Sequence, residues 1–261
     1  MHTREEKLEA FGRLLDVMDT LREKCPWDRK QTNESLRPNT IEETYELCEA
    51  LLNEDNANIC KELGDVLLHI VFYAKIGSEK GEFDIADVCN KLCDKLIFRH
   101  PHVYGEVKVD GADAVLQNWE QLKTKEKDGN KTVLSGVPTA LPSVIKAERI
   151  QEKASNVGFD WHNREDVWPK VKEEIAEFEA EVANMDRDKA TREFGDIMFA
   201  LINAARLYHI TPDTALELTN QKFISRFNYV EQRAKEEGRE LKDLTLEEMD
   251  RFWDESKKKG S

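Results

Sequence analysis

The sequence predicts an all-α protein built from two tandem, duplicated bundles of four or five helices each. Composition, a repeated order of motifs and the lack of sustained strand-like alternation carry that prediction. Of 261 residues, 35% are charged and 8% aromatic, with only 12 Gly and 7 Pro, a helix-rich profile. Two acidic signatures occur twice: Glu42-Glu43-Thr44-Tyr45-Glu46 precedes Glu62-Leu63-Gly64-Asp65, and Glu173-Glu174-Ile175-Ala176-Glu177 precedes Glu193-Phe194-Gly195-Asp196. Glu62 follows Glu46 by 16 positions, and Glu193 follows Glu177 by 16. Duplication of one helical unit explains this better than chance. Short strings such as Thr132-Val133-Leu134 are too few to make a sheet.

Met1 to Lys24 places Leu8, Phe11, Leu14, Leu15, Met18 and Leu21 at helical spacing among charges. That is an amphipathic helix and lacks the apolar block of a signal peptide. Each half then runs through an aromatic–aspartate element, the two acidic helices, a further long helix and a basic segment near a tryptophan. The elements are Trp27-Asp28, Lys95…Arg99 and Trp119…Lys123 in the first half, and Phe159-Asp160-Trp161, Lys222…Arg226 and Trp253…Lys257 in the second. The spacing from each Glu46-type to Glu62-type residue suits two antiparallel helices joined by a short loop. Asp65 to Lys95 spans 30 residues and Asp196 to Lys222 spans 26, so the first copy carries about one extra helical turn or a longer loop around Gly77 to Gly81. Lys125 to Pro142, with Gly129, Gly136, Pro138 and Pro142, reads as a linker. The expected division is residues 1–128, a linker at 129–142, and residues 143–261. A fresh helix from Ser143 to Ser155 opens the second domain, with Gly158 as its stop signal.

The net charge of −14 argues against general nucleic-acid binding, which needs a basic face. It leaves room for a small phosphorylated ligand, because a divalent ion reverses the local field. No run reaches the length of a membrane span. The longest apolar stretch, Val66 to Ala74, reads as a buried helix with His69 as a core histidine. Arg99-His100-Pro101-His102 reads as a structured turn, since the proline ends a helix. The five cysteines (Cys25, Cys48, Cys60, Cys89, Cys93) are odd in number and lack paired zinc spacing. Cys89 and Cys93 read as small core residues, and a reducing cytoplasm is the plain expectation.

Residues three or four apart share a helix face. Glu174 with Glu177 and Glu193 with Asp196 therefore converge from facing helices, as do Glu43 with Glu46 and Glu62 with Asp65. Four carboxylates so gathered repel one another unless a cation sits among them. Oxygen donors without His or Cys suit Mg²⁺, or Mn²⁺, better than Zn²⁺. Mg²⁺ shares its coordination with phosphate, which points to a phosphate-bearing substrate. In a chain this charged a single Glu-Glu-x-x-Glu is ordinarily a solvated face; the repeat, and Gly64 and Gly195 inside helices, argue otherwise. Glycine there costs about 1 kcal/mol relative to alanine, and its expected use is close approach of a neighbouring helix. Lys222 with Arg226, Lys95 with Arg99, and Lys189 with Arg192 offer cations suited to a polyphosphate. Intrahelical ion pairing is their plainer use. Trp27, Trp161 and Trp253 read as core anchors first and base-stacking platforms second.

Taken in order, Cys25-Pro26-Trp27-Asp28, the first acidic pair, Arg99-His100-Pro101-His102-Val103, the Ala147 to Trp161 stretch ending Gly158-Phe159-Asp160-Trp161, the second acidic pair and Lys222-Phe223-Ile224-Ser225-Arg226-Phe227 resemble the MazG family over nearly the whole length. The resemblance implies hydrolysis of nucleoside triphosphates between the α and β phosphates, with Mg²⁺ required, in a homodimer whose C-terminal domain carries the main activity. It makes Glu174, Glu177, Glu193 and Asp196 metal ligands, and Glu173, Glu174 and Glu177 the catalytic acids. Lys170, Glu173, Lys189, Arg192, Lys222, Arg226 and Trp253 become nucleotide contacts. The segment between Glu177 and Glu193 is slightly shorter than in the best-known member, so Lys189 and Arg192 transfer less securely. Glu43, Glu46, Glu62 and Asp65, with Lys95 and Arg99 for phosphate, form a second, N-terminal candidate site. The competing expectations are a nucleotide-binding regulatory protein, and a pyrophosphatase narrow for dUTP or a damaged nucleotide.

Overall fold

The computed structural model describes residues 1–107 and 132–259, with Gly111, Val115 and Leu122. Trp119, Lys123, Lys125 and the expected boundary at 128 and 129 lie outside the described residues. The regular elements are all helical among those described. The chain forms two compact units, Met1–Val109 and Asp110–Ser261.

In the first unit, α1 (Arg4–Lys24) starts on a reciprocal cap between Thr3 and Glu6. Its apolar stripe supplies Met18 to a core with Leu36, Val71, Phe72 and Ile76, flanked by Phe11, Leu14 and Leu15. Helices α2 (Asn33–Leu52) and α3 (Asn56–Glu79) pack along each other as a hairpin. Its turn places Glu54 at φ 52°, and the Asp55 side chain accepts from the amides of Ala57 and Asn58 to start α3. Phe83 folds back over Gly77 so closely that a Cβ there would lie 2.7 Å from the ring. Helix α4 (Ile85–Arg99) follows, then a single break at His100 and the short α5 (Pro101–Tyr104). Cys89 and Cys93, expected in a core, are exposed. Among the described residues, α4 has no buried residue, and α3 is the only long helix of its unit that lies substantially against it.

In the second unit, α6 (Ser143–Ser155) ends as expected before Gly158, at φ 90°. Helices α7 (Val167–Ala183) and α8 (Arg187–Leu207) repeat the hairpin, with Met185 at φ 56° and Asp186 as N-cap. Val167, Val171, Ala200, Ile202 and Ala204 are buried along it. Helix α9 (Pro212–Glu236) packs on α6, α8 and α10 (Leu246–Lys258). Val230, Ala234, Leu244 and Phe252 form its core, with Trp253 packed against them. Asp160 accepts from both arms of the Arg206 guanidinium and from Ser155, which ties the Phe159-Asp160-Trp161 strand of chain to α8. The expected extra length of the first copy lies mostly in the helix: α3 has 24 residues and α8 has 21. No helix among the described residues is long and apolar enough to cross a membrane.

Candidate metal centre

Each hairpin gathers three carboxylates. In the first, oxygens of Glu43, Glu62 and Asp65 lie within 4.8 Å of one another; in the second, those of Glu174, Glu177 and Glu193 do. The two trios are drawn from corresponding positions but are not the same three. Asp65 belongs to the first trio while Glu46 stands outside it; Glu177 belongs to the second while Asp196, exposed, stands outside. Burial is uneven too. Glu62 is 5% exposed and Glu174 7%, each the deepest acid of its trio.

The concentration of negative charge shows in the neighbours it recruits. Lys61 reaches Glu62 at 2.8 Å and Asp65 at 3.8 Å. Lys170 reaches Glu174 at 2.8 Å and Glu173 at 3.1 Å, and its ammonium is held well above the ordinary lysine range by hydrogen bonds to Glu174 and Glu173. Desolvation, then repulsion from Asp65, Glu46 and Glu62, pushes Glu43 above the usual carboxylate range. Desolvation, then Glu174, Glu193 and Glu173, does the same to Glu177. Oε2 of Glu62 is buried and has no hydrogen-bond partner. A buried carboxylate oxygen without a donor is costly, and a divalent cation among three such groups removes the cost. The all-oxygen donor set fits a hard ion such as Mg²⁺ or Mn²⁺.

The close helix approach expected at the two glycines is not made among the described residues. A Cβ at Gly64 or Gly195 would meet nothing within 4 Å. Among the described residues no helix approaches them; both glycines are exposed, beside Leu63 and Phe194, which are exposed too.

The candidate cations divide. Lys189 is engaged by Asp186 at 3.4 Å and Glu181 at 3.9 Å, whereas Arg192 is exposed. Lys222 is exposed on α9. One turn on, Arg226 lies over the Trp253 ring at 5.8 Å, and its Nε is buried without an acceptor. Arg226 also edges an open cavity of about 250 Å³ walled by Ser225, Asn228, Tyr229, Gln232, Ser256 and Lys259. Trp253 serves as a core anchor, packed on Phe223 at 5.0 Å. Trp27 and Trp161 instead expose 58% and 39% of their surface, contrary to the core expectation. Both sit on segments that connect the long helices. Lys95 is exposed and Arg99 half-buried on the last turns of α4.

Sequence reasoning passed over Lys61, although its place four residues before Asp65 on one helix face is the ordinary signal for a pair. It also passed over Thr40, whose hydroxyl meets His69 and Tyr73 inside the first hairpin.

Comparison with known proteins places the chain among nucleotide pyrophosphohydrolases. The MazG nucleotide pyrophosphohydrolase domain matches residues 31–104 and 162–231, so each match encloses one hairpin and its trio. A nucleoside triphosphate pyrophosphohydrolase of Escherichia coli (strain K12) is 40% identical over 96% of this chain and 98% of its own length. The nucleoside triphosphate pyrophosphohydrolase/pyrophosphatase MazG of Thermotoga maritima is 41% identical over 95% of each chain. The uncharacterized protein YabN of Bacillus subtilis is 47% identical over 97% of this chain, which spans 53% of that protein.

Proposed function

The chain belongs to the MazG nucleotide pyrophosphohydrolase family, and from that membership we propose that it hydrolyses nucleoside triphosphates between the α and β phosphates, releasing the monophosphate and pyrophosphate. The observation that carries the reading is the pair of matched hairpins, each converging three carboxylates within 4.8 Å. In this reading Glu174, Glu177 and Glu193, with Asp196 on the same face of α8, hold Mg²⁺ or Mn²⁺ in the C-terminal half. Glu43, Glu62 and Asp65, with Glu46 nearby, do so in the N-terminal half. When bound, the cation neutralises phosphate charge and favours attack at the α-phosphorus.

The remaining steps fall to side chains of the chain itself. Glu173, an exposed carboxylate beside the trio, or a glutamate of the trio takes the proton of the attacking water. Lys170 holds Glu173 and Glu174 together. Lys222 and Arg226 receive the charge of the departing pyrophosphate. Lys189 and Arg192 at the start of α8, and Lys95 with Arg99 in the first half, are assigned to phosphate as well. Trp253 is assigned to the nucleoside. No covalent intermediate is required.

We further read the protein as a cytoplasmic homodimer of two-domain chains, linked through residues 129–142. Exposed apolar side chains on the acid-bearing helices, Leu63, Phe194, Met198 and Leu201 among them, support the dimer. The test is pyrophosphate and monophosphate release from a panel of ribo-, deoxy- and modified triphosphates, with Mg²⁺ and with chelator. Turnover that depends on the cation is the expected result; tight nucleotide binding without turnover on any substrate would replace the enzyme with a nucleotide sensor.

A further inference from the structure

The open cavity of about 250 Å³ beside Arg226 lies between α9 and the end of α10. A water occupies about 30 Å³ in the liquid, so the space admits a phosphoryl group with ease. Ser225, Asn228, Tyr229 and Gln232 wall it from α9, at the i, i+3, i+4, i+7 spacing of one helix face. Arg226 edges that face, and Lys222 precedes Arg226 by one turn. Ser256 and Lys259 close the cavity from α10.

Its walls run against the charge of the chain. The protein carries 53 acidic residues and a net charge of −14, yet the cavity is walled by a guanidinium, an ammonium and no carboxylate. The acids closest to the wall residues are Glu236, which accepts from Gln232, and Glu255, which accepts from Tyr229. Both are drawn to Arg233, at 2.7 and 3.4 Å. Lys257 and Lys258 supply the cations ordinarily found in the last turn of a helix. Lys259 instead turns back toward α9, its ammonium 4.9 Å from the centroid of the Tyr229 ring. Ser256 donates to Trp253 O at 2.6 Å, which leaves the Ser225 hydroxyl and the Asn228 amide as the neutral donors of the wall.

We propose that this cavity receives the terminal phosphate of the nucleotide, with Lys259 as the residue that tells a triphosphate from a diphosphate. The proposal rests on the reading that Trp253 meets the nucleoside and that Lys222 and Arg226 meet the leaving pyrophosphate. Arg226 stands between the two regions: its guanidinium lies 5.8 Å from the Trp253 centroid, and it also edges the cavity. A nucleotide laid from Trp253 past Arg226 therefore reaches the cavity with the end farthest from its base. A planar guanidinium suits the oxygens along a phosphate chain, whereas a compact ammonium on a flexible stem suits its tip. After cleavage the same contacts are the last hold on pyrophosphate. The rival role for Lys259 is the cation–π contact with Tyr229 alone, which would leave nucleotide binding unaffected by its loss.

The test uses the full chain with Mg²⁺ and compares Lys259→Ala, Lys259→Arg and Lys258→Ala, with circular dichroism confirming that each is folded. Lys259→Ala should raise KM for nucleoside triphosphates roughly tenfold with kcat little changed, the effect of one lost charged hydrogen bond. The inhibition constant of pyrophosphate should rise by a similar factor. That of a nucleoside diphosphate, which stops short of the cavity, should stay nearly the same. Lys259→Arg should recover most of the loss. Lys258→Ala should match the parent, which separates a contact from a general loss of positive charge. Equal weakening of di- and triphosphate, the same loss in Lys258→Ala, or an unchanged KM in Lys259→Ala overturns the proposal. A parent that turns over no triphosphate overturns the enzymatic reading beneath it instead. Calorimetry of pyrophosphate binding then judges the cavity by itself: weaker binding in Lys259→Ala supports it, and equal affinities or no binding to the parent overturn it.

Discussion

Glu177 is the most informative single residue, since it joins the C-terminal trio while remaining exposed. Replacing it with Gln leaves no core contact to lose, so helicity should be retained while kcat/KM falls roughly a hundredfold or more. Near-normal pyrophosphate release would remove it from the site. Its carboxyl, like that of Glu43, is pushed upward by desolvation and by its neighbours. A carboxylate whose folded pKa lies above its unfolded value, about 4.3, contributes stability at low pH that is lost as pH rises through the folded value. Without cation, the trios therefore weigh against the fold increasingly above that window, and the cation offsets them. Thermal unfolding should show a larger Mg²⁺-induced rise in Tm at about pH 8 than at about pH 5. The difference should diminish in the Glu43→Gln/Glu177→Gln variant. An equal rise at both pH values would show that the trios are not where the ion binds.

At the scale of elements, two glycines in equivalent helices have opposite environments from a third. Gly195 meets nothing within 4 Å, so Gly195→Ala should stabilise α8 by about 0.5–1 kcal/mol, read as a higher Tm. At Gly77 the added Cβ would meet Phe83 at 2.7 Å, so Gly77→Ala should destabilise by about 1–3 kcal/mol. A Phe83→Leu partner should recover part of that loss. If Gly195→Ala lowers stability, the space beside it is filled by something other than this chain's own helices. The helical repeat, the hairpins, the Ser143–Ser155 helix and the extra turn of the first copy were legible because spacing and caps are local properties. Which three of each four acids converge was not legible. Helix faces are broad, and spacing alone does not choose among four acids on two of them. The exposure of Cys89, Cys93 and Gly64 was equally out of reach, because burial depends on packing between elements and not on local spacing.

At the scale of the whole molecule, the corresponding outward positions of both hairpins stay apolar. Leu63 and Ile70 on α3 are 53% and 44% exposed, and their counterparts Phe194 and Leu201 on α8 are 52% and 45%. Duplicated units that preserve an apolar stripe on the same uncovered face imply a cover, since stripes of this kind mark association surfaces. A second copy of the chain is the cover that the proposed function invokes. Ile70 and Leu201 lie well along the helices from the acids, so they report on association and not on cation binding. Leu201→Glu combined with Ile70→Glu places a charge in the middle of both stripes. The expected outcome is a shift from dimer to monomer in sedimentation velocity, with activity that recovers as protein concentration is raised. The volume-conserving Leu201→Met and Ile70→Leu should remain dimeric and active. Because each charge would have to be desolvated to re-form the contact, a stable dimer in the Glu variants means that these stripes face solvent and that the copies, if they pair, pair elsewhere.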